Sequence, residues 1–244
     1  MYISNEFLSW DSGYDSTGVD FEKLKRSHDI WRHAKERLNN NPTEFDKVDC
    51  ITSLKRAINS RLKAISKEYS INELPNLRKK KQQLEKFQDY GLVRPAFLKA
   101  LFDLRNILEH GDVTPPATEK CNYYIDIAWY FLKSTDSLLV MKNDNVFFEQ
   151  GDDYDDDASN GISIGYKIKD GWEIGIGGCL EDSLISSTEV KGWIYLPDFK
   201  VIEGRAASGF VCFRSSTPAL SEESLISLAR IYFSSMGYWY SDHL

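Results

Sequence analysis

Arg105, Asn106 and His110 close one apolar-patterned stretch, just before Gly111, with side chains suited to phosphate chemistry. Arginine is a permanent cation whose flat fork matches phosphate oxygens, and histidine exchanges protons near neutral pH. In the last turn of a helix, the helix dipole favours an imidazolium at His110. Such a histidine could serve as base toward a ribose 2′-hydroxyl or as acid toward the leaving 5′-oxygen. Arg105 would steady the charge that gathers on the phosphorus oxygens, and Asn106 would orient the histidine or a non-bridging oxygen. This chemistry needs no metal and no cofactor. The four cysteines (50, 121, 179 and 212) form no CxxC pair, a spacing that argues against a zinc site and against a disulfide framework.

The positioning element is a helix predicted from about Arg94 to His110. With Phe97 at zero and about 100° per residue, Leu101, Leu104 and Leu108 fall within about 40° and define a core side. Asn106 then lies at about 180° and His110 at about 220°, on one face, while Arg105 lies at about 80° with Glu109 one turn on. Arg105 and His110 thus diverge by about 140° and do not easily reach one phosphate from a straight helix. Either the helix loosens at Gly111, or a second copy supplies the missing group across a two-fold axis, which predicts a homodimer.

Around this helix the pattern is helical through residue 142. A first helix is expected over about Asp20–Leu38, and Asn41-Pro42-Thr43-Glu44 reads as a cap opening a second that reaches about Lys67. Val48, Ile51, Leu54, Ile58, Leu62 and Ile65 form its buried face, with Lys55, Arg56, Arg61, Lys63 and Lys67 on the others. A third helix after Pro75 carries Arg78, Lys79, Lys80 and Lys81, a candidate RNA-backbone contact or a solvated face. A fifth opens at Thr114 and runs to about Leu139. Beyond Lys142 lies an acidic run at 152–157, read as a linker. Period-two alternation on either side of Asp170-Gly171 then predicts a hairpin. Further strands are expected at Val190–Leu196 and Gly209–Arg214, and a last helix capped by Ser221. The fold class is therefore α+β. An antiparallel helical bundle, residues 18–142, precedes a small β-rich domain with a C-terminal helix, residues 143–244.

Composition places the chain among ordinary globular proteins, 42 % hydrophobic and 27 % charged, without a membrane-span or signal-peptide pattern. With the cysteine usage, this points to the cytoplasm. The net charge of −7 is unevenly spread: residues 1–142 carry 23 basic and 20 acidic residues, residues 143–244 only 7 and 17. A mildly basic half that tolerates a polyanion is joined to a strongly acidic one.

At Arg105-Asn106-x-x-x-His110 the sequence resembles the HEPN superfamily, whose RNA-cleaving members carry an Arg-x4–6-His motif, often as Arg-Asn-x-x-x-His. The likeness covers the helical part, about Asp20 to Leu139. It implies a four- to five-helix bundle, a dimer that places two motifs in one cleft, and a metal-independent endoribonuclease that leaves a 2′,3′-cyclic phosphate. Such proteins often act as toxins or anti-phage effectors, held by an antitoxin or another regulatory protein. By that likeness Arg105 and His110 are the catalytic pair, Asn106 is the polar position beside them, and Asp103 and Glu109 are candidate assisting acids. Two other classes stay open: a non-catalytic HEPN-like module that dimerises and docks protein or nucleic acid, and a small-molecule sensor built on the C-terminal sheet. The plainest alternative is a surface ion pair between Arg105 and Glu109 beside a glycine stop.

Overall fold

Helices form where the sequence carries an apolar period of about 3.6 residues. The computed structural model describes residues 1–19, 21–75, 83–93, 96–110, 113–150, 159–168, 172–203, 208–216 and 221–235. The chain divides into two compact units, Gly18–Lys142 and a second made of Met1–Thr17 with Asn143–Leu244. The segment Met1–Thr17, given no structure from sequence, thus joins the β-rich unit, and the helical unit is an insertion within it. Together they make a mixed α+β protein with two antiparallel sheets.

The helical unit contains α1 (Glu22–Glu36), α2 (Glu44–Glu68), α3 (Gln83–Asp89), α4 (Ala96–His110), α5 (Thr118–Ser134) and the single turn α6 (Ser137–Val140). The cap of α2 is Thr43 rather than Asn41, which sits at φ 58° in the left-handed region. Thr43 Oγ1 accepts from the Asp46 amide at 3.3 Å, and the Thr43 amide donates to Asp46 Oδ2 at 2.9 Å. This reciprocal pair is worth about 1 kcal/mol. The fifth helix starts at Thr118, not Thr114, and ends at Ser134. α2 is central, packing against α1, α4, α5 and α6. Its Ile51, Leu54, Ile58, Leu62 and Ile65 are buried, each contributing roughly 1.5–3 kcal/mol.

Arg61 departs from the sequence reading: it is fully buried, not on an outer face of α2. Its Nη1 donates to Leu132 O (2.8 Å), Thr135 Oγ1 (3.1 Å) and Asp136 Oδ1 (2.8 Å), and its Nε and Nη2 donate to Ser27 Oγ at 3.2 and 3.0 Å. His28 Nε2 lies 3.0 Å from the same Asp136 oxygen, and Lys133 Nζ donates to Asp136 Oδ2 at 3.2 Å. One buried guanidinium therefore ties α1, α2 and the end of α5. A buried charge survives only with such complete partnering.

The β-rich unit has a three-stranded sheet, β6 (Ile185–Ser186), β1 (Tyr2–Ile3) and β7 (Ile194–Tyr195). Its larger sheet runs β2 (Asp11–Val19), β3 (Met141–Glu149), β4 (Gly161–Ile168), β5 (Trp172–Glu181), β9 (Phe210–Ser216) and β8 (Lys200–Val201). Against it packs α7 (Glu222–Ser235), capped by Ser221, whose Oγ accepts from the Ser224 amide at 3.2 Å. The strand expected over Val190–Leu196 shrinks to two residues, because Val190–Trp193 close a turn. The acidic run 152–157 and Asp170-Gly171 lie outside the described residues.

Antiparallel pairing of β5 with β9 sets Cys179 opposite Cys212, and the two form a disulfide with Cα atoms 4.0 Å apart. Spacing along the chain was a poor guide here, since the sheet brings residues separated by 33 positions into register. Among the described residues no helix is long and apolar enough to cross a membrane.

Asp136→Ala should cost the helical unit about 3 kcal/mol in urea unfolding, because it strands the Arg61 charge. Burial tends to raise the Asp136 pKa, but the hydrogen bonds and charges of His28 and Arg61 prevail and hold it low. A depressed carboxyl stabilises above its unfolded pKa, and that contribution disappears as pH falls through the folded value. The variant's acid unfolding should accordingly be shallower than the wild type's. In the sheet, a Cβ at Gly178 would overlap the Gly161 carbonyl, whereas one at Gly161 meets only Phe148 O at 3.9 Å. Gly178→Ala should lose about 1–3 kcal/mol, while Gly161→Ala stays close to wild type in thermal unfolding.

Candidate active site

Helical geometry runs unbroken through α4 to His110, so the angular separation of Arg105 from His110 applies to the folded backbone. What changes is the rotation of the helix. Among its described side chains Leu98 and Leu101 are buried, while Leu104 and Leu108 are half-buried. With Phe97 at zero, Leu98 lies at about 100° and Leu101 at about 40°, so their stripe is centred at about 70°, almost on Arg105. Among the described side chains the packed side is therefore centred closer to Arg105 than the stripe expected from sequence. Arg105 is half-buried as a result, with its side chain 24 % exposed.

Arg105 makes a two-pronged pair with Glu109, Nη2 to Oε1 and Nη1 to Oε2. This is the i,i+4 pair of the plainest sequence alternative. Glu109 is 44 % exposed, so solvent screens the pair and it contributes only about 0.3–0.5 kcal/mol. A phosphate, which accepts the same fork of donors, can displace a carboxylate held that loosely.

Asn106 is exposed, and its Oδ1 accepts from Lys55 Nζ of α2 at 3.0 Å. The same ammonium stands 5.3 Å from the centroid of the Phe102 ring. Lys55 is held below the ordinary lysine pKa, first by lost hydration and then by the charge of Arg105. Two cations from two helices thus share the C-terminal half of α4. Sequence reading placed Lys55 on an outer face of α2. The missed signal was its place directly after buried Leu54, at the flank that α4 covers.

The side chains of Phe97 and His110, and Gly111, lie outside the described residues, as do Arg78, Lys79, Lys80 and Lys81. Asp103 is exposed and falls on the Asn106 side of α4, two turns and about 10 Å before His110 along the axis. The structure therefore joins Arg105 to Glu109 and Asn106 to Lys55, and leaves Asp103 two turns from the motif's end.

Other reactive groups are accounted for by packing. Burial pushes the Cys50 thiol up to about 12 and raises Cys121 as well, so neither supplies a thiolate nucleophile at neutral pH. His28 belongs to the Arg61 network, and His33 shares Asp49 Oδ2 with Arg37 at the surface. Among the described residues no three His, Cys, Asp or Glu side chains gather as metal ligands do. In the β-rich unit, Lys200, Val201, Ile202 and Arg214 line an open hollow.

Glu109→Gln should change stability by less than about 0.5 kcal/mol in urea unfolding; a loss several times larger would show that the pair is a structural anchor rather than an exchangeable lock. No known protein family, curated protein or solved structure matches the chain, so any reading of this site rests on its own residues.

Proposed function

We propose that the helical unit is a HEPN-like domain and that α4 carries a metal-independent endoribonuclease site. The observation that supports it best is that Arg105 and Asn106 stand on the last two turns of a continuous helix ending in His110, with Lys55 of α2 donating to Asn106 there. His110 takes the proton of a ribose 2′-hydroxyl, the oxygen attacks phosphorus, and the 5′-oxygen departs as a hydroxyl with a proton given by the imidazolium of His110 from the second motif in the dimer. The product is a 2′,3′-cyclic phosphate. Arg105 leaves Glu109 for the phosphoryl oxygens, where charge builds in the transition state. The substrate's own hydroxyl is the nucleophile, so the reaction needs no metal.

Charge supports a polyanionic substrate. The unit Gly18–Lys142 contains 23 basic and 17 acidic residues, net +6 within a chain of net −7. The divergence of Arg105 and His110 on one straight helix argues for a homodimer in which each motif completes the other's site. A cytoplasmic location goes with an RNA substrate, although the Cys179–Cys212 disulfide is a bond that oxidising compartments favour. A toxin or anti-phage role would add an antitoxin or another regulatory protein to its partners.

A second reading has an observation of its own. The Arg105–Glu109 pair makes α4 a self-satisfied surface, as suits a non-catalytic module that dimerises and docks nucleic acid or protein. Incubating RNA with the full chain in a chelating buffer separates the two. Wild type should cut, and His110→Ala, with the wild-type thermal midpoint, should cut about a hundredfold or more slowly. RNA binding without scission by wild type would favour the docking module, and unchanged cutting by His110→Ala would refute the site.

A further inference from the structure

We propose that Lys55 is a substrate-binding residue of this site, contacting the RNA phosphate from the same protomer as His110. The inference rests on the nuclease reading for its substrate, but it comes from a residue outside the Arg-Asn-x-x-x-His motif.

The apolar face of α2 fixes where Lys55 stands. Leu54 and Ile58 are buried, and Lys55 follows Leu54 by about 100°, at the edge of that face. Its ammonium stands over the Phe102 ring and donates to Asn106 Oδ1, so its height and angle on α4 are defined by two contacts. Among the described residues both partners are neutral: an aromatic face and an amide oxygen. A lysine at a surface usually finds water or a carboxylate. This one is partly dehydrated and stands within electrostatic reach of the Arg105 cation. A cation placed beside a second cation, and without a carboxylate partner among the described residues, favours an incoming anion, and a phosphodiester oxygen can accept from the ammonium while another accepts from the Asn106 amide.

The angles give the position its meaning. Taking Phe97 as zero, Arg105 falls at about 80°, Phe102 at about 140°, Asn106 at about 180° and His110 at about 220°. Lys55, which touches Phe102 and Asn106, occupies the middle of the arc that separates the two motif residues. It supplies positive charge beside the Asn106–His110 face without waiting for a second copy, while Arg105 is turned toward the packed side. A phosphate held by Lys55 and Asn106 would sit closer to the position of His110 than one held by Arg105 of the same chain.

The test uses the full chain and a 2′-O-methyl RNA oligonucleotide, which lacks the attacking hydroxyl and so reports binding alone. Lys55→Met keeps a long unbranched side chain and removes the charge; Lys55→Arg restores a cation. Lys63→Met removes an equal charge from an exposed position two turns further along α2. Fluorescence anisotropy across a salt series should show Kd rising about tenfold for Lys55→Met, with the slope of log K against log salt smaller by about one. Lys55→Arg should recover most of the affinity, and Lys63→Met should behave as wild type.

Wild-type affinity and slope in Lys55→Met, an equal loss in Lys63→Met, or no RNA binding by wild type would each overturn the assignment. Cleavage of unmodified RNA is measured in parallel to separate the two claims. If wild type binds through Lys55 yet never cuts, the lysine contact stands and the nuclease reading falls. If wild type cuts and Lys55→Met binds and cuts equally well, the nuclease stands and this inference falls.

Discussion

The rotation of α4 about its own axis is the constraint on which the site depends. Burial of Leu98 and Leu101 sets that rotation where α4 packs against α2 and α5. With the stripe centred there, Arg105 is drawn to the packed side and Asn106 stays in solvent. A turn of α4 by half its apolar stripe would take Phe102 and Asn106 away from Lys55 and remove the second cation. The chemistry proposed for the motif is therefore a consequence of core packing, and the apolar residues beside it are as necessary as the polar ones.

That rotation matters only if the framework beneath it is firm. α2 is the common partner, and the Arg61 network fixes it to α1 and to the end of α5 from inside. A buried ionic network is a weak route to stability but an exacting one, because each donor must meet its acceptor. It selects one register of three helices. Lys55 lies on the same helix as Arg61, so the register that satisfies the buried guanidinium also sets the height of the half-buried Lys55.

Elements with strong local signals were legible in the sequence: α1, α2 and α4, the pair β4 and β5, and α7 with its Ser221 cap. The failures share a cause, which is that the deciding contact is distant in sequence. Arg61 looks like a surface residue until Ser27 and Asp136 are folded around it. Cys179 and Cys212 look unrelated until β5 and β9 pair. The N-terminal strands show no apolar period of their own and are defined by partners beyond residue 140. The motif itself could be read from residue types, but Lys55 could not, since only the α2–α4 packing brings it to Asn106.

The ends left on RNA after incubation with the protein in a chelating buffer report the central claim most directly. Attack by a neighbouring 2′-oxygen predicts fragments ending in a 2′,3′-cyclic phosphate and a 5′-hydroxyl, with no break at a linkage whose ribose is 2′-deoxy. Fragments carrying a 5′-phosphate and a 3′-hydroxyl, or breaks at 2′-deoxy positions, would contradict it.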